Sequence, residues 1–235
     1  MRRWFVTGTD TGCGKTVVSV ALARRLVAEG RRVACLKPVA SGCERTAEGL
    51  RNEDALALMA SANAGQGYDE VNPFAYEPAV APHLAARAAG RPVDFDAIAA
   101  LADRCTADEL VVEGAGGWLV PLEDRAGGRT MADLAARLDA GVILVVGMRL
   151  GCLNHALLSA RQALAGGARL VGWVANRVDP AMDLAAENLD TLDRWMPVPR
   201  LARMPWNPSD DSAFPLEWEE AGISAFDLCA NCARL

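Results

Sequence analysis

The chain has 235 residues, of which 51% are hydrophobic and 23% charged, and its formal net charge is −6. That length suits one sizeable domain over 1–235, able to bury a full sheet with helices on both faces, with 209–235 as an irregular tail. The acidic balance, with no basic stripe, argues against a nucleic-acid partner, and no run is apolar for long enough to be a membrane span or a signal peptide, so a cytoplasmic location is expected.

The first apolar run, Trp4 to Thr7, enters Gly8-Thr9-Asp10-Thr11-Gly12-Cys13-Gly14-Lys15-Thr16, and a helical pattern opens at Lys15. A strand, a small-residue loop and a helix start aim several backbone N–H groups and a positive dipole end at one point. This is a phosphate site in which Lys15 reaches a terminal phosphate and Thr16 a magnesium ion. The common phosphate loop places four residues between its first glycine and the Gly-Lys pair. Here five residues separate Gly8 from Gly14.

The helix should stop at Gly30, and Arg32 to Leu36 reads as a buried strand ending at Lys37-Pro38. Strand, helix and strand imply a right-handed crossover and a parallel pair, which brings Lys37 to the same C-terminal sheet edge as Lys15. Of 24 lysines and arginines only Lys15 and Lys37 are lysine. A chain that otherwise uses arginine keeps a compact ammonium at these two places, which marks Lys37 as a site candidate. The plain alternative is a solvated strand-end lysine.

Val39 to Asn52 is small and polar and is expected to be a loop over that edge, with Asn52 capping a helix through Asp54 and Leu58. Asp54 is a possible metal carboxylate or, equally, an acid favoured at a helix start. Residues 63–82, with prolines at 73, 78 and 82, read as an excursion without regular structure; helices follow at His83 to Ala89 and Asp96 to Arg104. Glu109 to Glu113 is a strand that passes into Gly114-Ala115-Gly116-Gly117, and a strand-end acid before glycines is what a magnesium-nucleotide site needs opposite the phosphate loop.

Thr130 with Asp133 resembles a capping box for Met131 to Leu138, and Val142 to Val146 is a buried strand. Leu150 to Asn154 leads into a helix through Ala165. Strand Leu170 to Ala175, helix Leu184 to Trp195 and a last strand Arg200 to Met204 follow, with an irregular chain after Pro205. The alternation gives an α/β fold, a mostly parallel sheet with helices on both faces, and the phosphate loop at its first strand–helix turn makes a P-loop NTPase-like fold the expectation. Cysteines 13, 35, 43, 105, 152, 229 and 232 lack framework spacing and are expected to be reduced thiols; Cys229 and Cys232 form a lone C-x-x-C, with only His83 and His155 elsewhere to complete a zinc site.

Several runs together resemble dethiobiotin synthetase. They are Phe5 to Thr11 with Gly14-Lys15-Thr16, Lys37-Pro38-Val39-Ala40-Ser41-Gly42, Gly49 to Asn52 with Asp54-Ala55, Glu113 to Trp118, Leu150 to Ala156, Gly172 to Asn176 and Pro205-Trp206. That family also uses the five-residue loop spacing. The resemblance implies an ATP-dependent cyclo-ligase of biotin biosynthesis that closes a cyclic urea from 7,8-diaminopelargonate, carbon dioxide and ATP, through a carbamate that takes the γ-phosphoryl group.

By position it implies Thr16, Asp54 and Glu113 as Mg2+ ligands and Lys15 and Lys37 as catalytic cations. ATP would contact Gly12, Cys13, Gly14, Lys15, Thr16 and Val17, then Gly114, Ala115 and Gly116. Asn176 with Arg177, and Pro205, Trp206 and Asn207, would read the base. Thr11 and Ser41 match substrate contacts, and Leu150, Gly151 and Asn154 match a turn that reaches the substrate carboxylate from a second subunit, so a homodimer with a shared site is expected.

Two departures stand out. Better-known members carry an acid at position 12 and valine at 13, where this chain has Gly12 and Cys13. Asn176-Arg177-Val178-Asp179 also approaches the Asn-Lys-x-Asp pattern that reads guanine, so Asp179 either broadens nucleotide use beyond ATP or is a helix-capping acid before Pro180. Among rival readings, partition and positioning ATPases share the fold but carry a second lysine where Asp10 stands. ATP-dependent amide-forming synthetases of cofactor biosynthesis share the core but usually need a glutaminase domain.

Overall fold

The computed structural model describes residues 1–206 and 216–219. β1 (Arg2–Gly8) leads through the glycine loop into α1 (Lys15–Ala28), and β2 (Val33–Leu36) follows. Between β2 and the next long strand come β3 (Val39–Ser41), β4 (Glu44–Thr46), β5 (Gly49–Arg51), α2 (Glu53–Ser61), α3 (Tyr68–Val71), β6 (Phe74–Tyr76), α4 (Pro82–Ala88) and α5 (Phe95–Arg104). The remainder is β7 (Glu109–Glu113), α6 (Met131–Arg137), β8 (Gly141–Met148), α7 (Cys152–Ala165), β9 (Leu170–Arg177), α8 (Ala185–Trp195), β10 (Arg200–Met204) and the two-residue β11 (Glu217–Trp218).

One seven-stranded sheet runs β11-β10-β9-β8-β1-β7-β2, parallel throughout except for β11. Every residue of β7 and β8 is buried, which is why these strands read as unbroken apolar runs: helices cover both faces. Alternate residues of β1 divide between the two layers. Trp4 and Val6 pack with Leu22, Leu26 and Leu58 of α1 and α2, whereas Phe5 joins Ile98, Leu134 and Ala156 of α5, α6 and α7. The chain builds outward from β1 to one side with β2, then crosses it between β7 and β8, so the strand order reverses around β1. Ligands in such sheets collect at that reversal, beyond the carboxyl ends of the strands.

Local chemistry explains most boundaries. Gly30, at φ +80°, ends α1 in a conformation that side chains resist. Asn52 Oδ1 accepts from the Ala55 amide at 3.2 Å, and Asp133 Oδ2 accepts from the Thr130 amide at 2.7 Å, so α2 and α6 start where their caps predict. The second strand begins at Val33, one residue late, because the Arg32 amide donates to Asp108 Oδ2 at 2.8 Å.

Three expectations are corrected. The segment 39–52 is not a plain loop: it holds β3 and an exposed, charged β4–β5 hairpin. The segment 63–82 holds α3 and β6, and β6 pairs in parallel with β3. Arg200–Met204 is not the last strand, because β11 adds to it antiparallel. All of these elements are two to four residues long, too short for a periodicity to show. Among the described residues, no helix is long and apolar enough to cross a membrane.

Candidate active site

The phosphate loop is held by its glycines and by one asparagine. Gly12 (φ +73°) and Gly14 (φ +86°) turn the backbone through the left-handed region just before α1. A Cβ on Gly14 would stand 1.9 Å from Asn176 Nδ2, so close approach as well as φ demands glycine there. Asn176, at the end of β9, donates from that Nδ2 to the Cys13 carbonyl at 2.8 Å. Lys15 is only 7% exposed, and its Nζ donates to the Asp10 carbonyl at 3.1 Å, folded back over the loop.

Lys37 lies one residue beyond β2, and Glu113 is the last residue of β7, which is paired with β2. Lys37 Nζ donates to Glu113 Oε1 in a short contact and to Asp54 Oδ2 at 2.9 Å. Thr16 Oγ1 donates to the same Glu113 oxygen at 2.9 Å. Glu113 is fully buried, and its second oxygen, Oε2, has no hydrogen-bond partner among the described residues. Gly114 then leaves room behind the carboxylate, where a Cβ would press on the Phe5 ring at 3.0 Å.

The charges are mutually supporting. Burial pushes the Lys37 ammonium towards neutrality, but Glu113 and then Asp54 outweigh it and raise the pKa above its ordinary value. Burial likewise pushes the Asp54 carboxyl up, and Lys37, with help from the Thr16 hydroxyl and Lys15, outweighs it and holds the carboxyl below its ordinary value. An ionised Lys37 and an ionised Asp54 therefore coexist at neutral pH.

These groups share a cleft of about 830 Å³ at the reversal point of the sheet. Of the residues singled out in the sequence, Thr11, Gly12, Gly14, Lys15, Thr16 and Val17 line it, as do Lys37, Ser41, Asp54, Glu113, Ala115 and Gly116. Cys13, Gly114 and Asn176 are buried and do not line it. Leu150 and Gly151 precede α7, with Gly151 at φ +97°, and Asn154 sits in its first turn; none of the three lines the cleft. Nor do Arg177, Pro205 and Trp206. Asn207 lies outside the described residues, as do Cys229 and Cys232.

The cleft also has a wall with no chemical signal in the sequence. Val39, Ala40, Val120 and Ala79 to Pro82 give it an apolar side suited to an alkyl chain. Only prolines 78 and 82 marked that stretch, and they mark a turn rather than a site. Asp179, on the other hand, accepts from the Ala181 amide at 2.9 Å within the turn after β9, and it is not a helix cap, since α8 starts at Ala185 behind Leu184. Asp10 carries no second cation of its own; it pairs with Arg149 at 2.6 Å.

A family model described as an AAA domain matches residues 2–213. Among curated proteins, one from Pseudomonas paraeruginosa (strain DSM 24068 / PA7), named ATP-dependent dethiobiotin synthetase BioD, is 52% identical over 210 residues, covering 87% of this chain and 90% of the relative. Proteins of the same name from Yersinia pestis bv. Antiqua (strain Angola) and Xanthomonas oryzae pv. oryzae (strain PXO99A) are 46% identical, over 87% and 89% of this chain and 85% and 93% of their own lengths. Among solved structures, the signal recognition particle receptor FtsY from Elizabethkingia anophelis in complex with GDP superposes with a TM-score of 0.52 at 15% identity. It matches 96% of this chain and 63% of its own, and it speaks for the P-loop fold alone. About half of the residues are shared, across nearly the whole length, with proteins of one name. The family model's residues 2–213 take in the longer phosphate loop and both lysines, and at this identity and coverage the chain belongs to the ATP-dependent dethiobiotin synthetase family.

Proposed function

We propose that the protein forms dethiobiotin from 7,8-diaminopelargonate, carbon dioxide and ATP in biotin biosynthesis. The observation that carries this reading is the convergence of Lys15, Lys37, Thr16, Asp54 and Glu113 on one cleft that also has an apolar wall. One substrate amine attacks carbon dioxide and loses a proton, giving a carbamate. A carbamate oxygen attacks the γ-phosphorus; the bond to the β,γ-bridging oxygen breaks and ADP leaves. The neighbouring amine then attacks the carbamoyl carbon, closing the ring and expelling inorganic phosphate.

Each step gathers or moves negative charge at one point, so fixed cations do the work and no histidine is needed. Lys15 and the loop amides neutralise the terminal phosphate, and Lys37 faces the carbamate and the phosphoryl group passing to it. Thr11 and Ser41 contact the diamine. Thr16, Asp54 and Glu113 would hold magnesium, and the unpaired, buried Oε2 of Glu113 fits that role. When bound, the ion would supply charge neutralisation to the transferring phosphate. Asn176, Arg177, Pro205, Trp206 and Asn207 are assigned to the base.

The same reading makes the protein a homodimer with a shared site. Leu150 is 94% exposed, and the exposed Leu119 and Leu158 line a groove of about 590 Å³ between Thr9–Asp10, residues 117–121 and α7. The turn at Leu150, Gly151 and Asn154 would reach the partner's substrate carboxylate, using a helix N-terminus for an anion. Leu158→Glu should sediment as a monomer and lose activity; an unchanged sedimentation coefficient removes the dimer. A cytoplasmic setting belongs to this reading and agrees with the unpaired thiols of Cys13, Cys35, Cys43, Cys105 and Cys152.

The deciding experiment supplies labelled bicarbonate, ATP and the diamine. Phosphate release should require all three, with label in dethiobiotin, whereas diamine-independent hydrolysis without labelled product refutes the function. Lys37→Gln should fold and lose phosphoryl transfer by about three orders of magnitude or more. Turnover near the native rate removes Lys37 from the catalytic groups.

A further inference from the structure

Lys37 stands where its backbone has left the sheet: the β2–β7 pairing ends at Leu36, and Pro38 follows. Its amide donates instead to the Val71 carbonyl at 2.7 Å, and its carbonyl accepts from Asn72 Nδ2 at 2.7 Å. Asn72 is 2% exposed, and its other side-chain atom, Oδ1, accepts from the Tyr68 hydroxyl at 3.1 Å. The same hydroxyl accepts from the backbone amide of Asn52 at 2.7 Å. Asn52 in turn caps α2 and so fixes the first turn that carries Asp54. Arg51 holds the Tyr68 ring in place, its guanidinium carbon 4.2 Å from the ring centroid.

An unbroken chain of hydrogen bonds therefore joins the backbone of Lys37 to the helix start that bears Asp54, through Asn72 and Tyr68. Neither side chain lines the cleft. A buried asparagine with both side-chain ends engaged, one of them on the backbone of the reactive lysine, is an arrangement that packing alone does not require. We infer that Tyr68 and Asn72 are positioning residues for phosphoryl transfer, which together set the Lys37 ammonium against the Asp54 carboxylate. The inference rests on the function proposed above and adds α3, a four-residue element outside the cleft, to the machinery of that reaction.

The test is the steady-state turnover of the full chain with ATP, diamine and bicarbonate, for Tyr68→Phe, Asn72→Leu and the double variant. A displacement of a fraction of an ångström at a reacting group lowers the rate, so kcat should fall about tenfold for Tyr68→Phe and about ten- to a hundredfold for Asn72→Leu. KM for ATP and for the diamine should stay within about threefold, because ground-state contacts are untouched. The double variant should match Asn72→Leu rather than multiply the two losses, since the groups act in series.

Tyr68→Phe keeps the ring and its arginine stack, so its result stands even where Asn72→Leu yields no folded protein. A Tyr68→Phe enzyme with native kcat, or losses that multiply in the double variant, overturns the inference while the function stands. Native protein that forms no dethiobiotin overturns the function and the inference with it.

Discussion

Replacing Lys37 by methionine keeps the length of the side chain and removes its charge. In the native protein that charge serves two carboxylates of very different exposure: the Asp54 side chain is 43% exposed and that of Glu113 0%. An ion pair open to water contributes about 0–1 kcal/mol, whereas a buried carboxylate that loses its cation costs about 3–5 kcal/mol. Lys37→Met should therefore destabilise the nucleotide-free protein by about 3–5 kcal/mol, nearly all of it through Glu113, and Asp54→Asn by about 1 kcal/mol or less. Glu113→Gln strands a buried ammonium that keeps only its exposed partner, so its cost belongs in the larger range. Removing both charges in Lys37→Met/Glu113→Gln leaves only the exposed Asp54 without its partner and no buried charge uncompensated, and the double variant should fall short of the summed single losses by several kcal/mol.

The measurement is urea unfolding at neutral pH, read as free energies by linear extrapolation. Neutral pH is the right condition on both sides. The raised Lys37 pKa keeps its contribution whole below the ordinary value of 10.5 and loses it only as pH climbs through the folded value. The lowered Asp54 pKa keeps its contribution above the ordinary value of 3.8 and loses it as pH falls through the folded one. Single losses that add in the double variant to within about 0.5 kcal/mol would refute the pairing.

The two loop glycines should separate cleanly. Gly14→Ala combines φ +86° with a Cβ at 1.9 Å from Asn176 Nδ2, whereas Gly12→Ala carries φ +73° with nothing within 4 Å. Calorimetric ATP affinity should fall about 5- to 150-fold for Gly14→Ala and clearly less for Gly12→Ala, and equal losses would contradict the contact. Glu123 is held down at about 2 by hydrogen bonds to the Arg129 backbone and guanidinium and then to Arg125, against an ordinary 4.5. Its contribution is complete above 4.5 and drains as pH falls towards 2, so native protein should lose stability over that window that Glu123→Gln does not. Identical acid-unfolding curves for the two would show the carboxylate idle. Asp179→Ala should leave the ranking of ATP, GTP and CTP turnover unchanged, because the carboxylate is engaged with the Ala181 amide; a changed ranking restores Asp179 as a reader of the base.

The parts of the fold that can be read from sequence are those with long periodic patterns or a named cap. β1, β7 and β8 are buried on both faces, and so each is a run of apolar residues bounded by glycine or charge. Asn52 and Thr130 announce α2 and α6 because a cap is chemistry on one residue. By contrast, α3, β3 and β6 owe their form to distant partners: β3 and β6 pair with each other, and α3 is held by the Lys37 amide on its Val71 carbonyl and the Asn52 amide on its Tyr68 hydroxyl. No local pattern encodes a partner thirty residues away. The charged side chains of the cleft were legible for the opposite reason, since strand ends, a glycine loop and scarce lysines are local signals. The apolar wall at 79–82 and the brace behind Lys37 were not, because alanine, valine, tyrosine and asparagine carry no chemistry until the fold gives them neighbours.

The two lysines can now be told apart by what surrounds them. Lys15 bends over a backbone carbonyl in the loop that it serves, so its nitrogen is free to exchange that neutral acceptor for a phosphate oxygen. Lys37 is pinned at both ends: its backbone by α3 and Asn72, and its nitrogen by two carboxylates within a wall that also takes a threonine hydroxyl. A planar guanidinium would need room for a fork where Glu113 Oε1 already accepts from both Lys37 and Thr16. The retention of ammonium in a chain otherwise committed to arginine thus has two separate physical causes: mobility at Lys15, and compactness at Lys37.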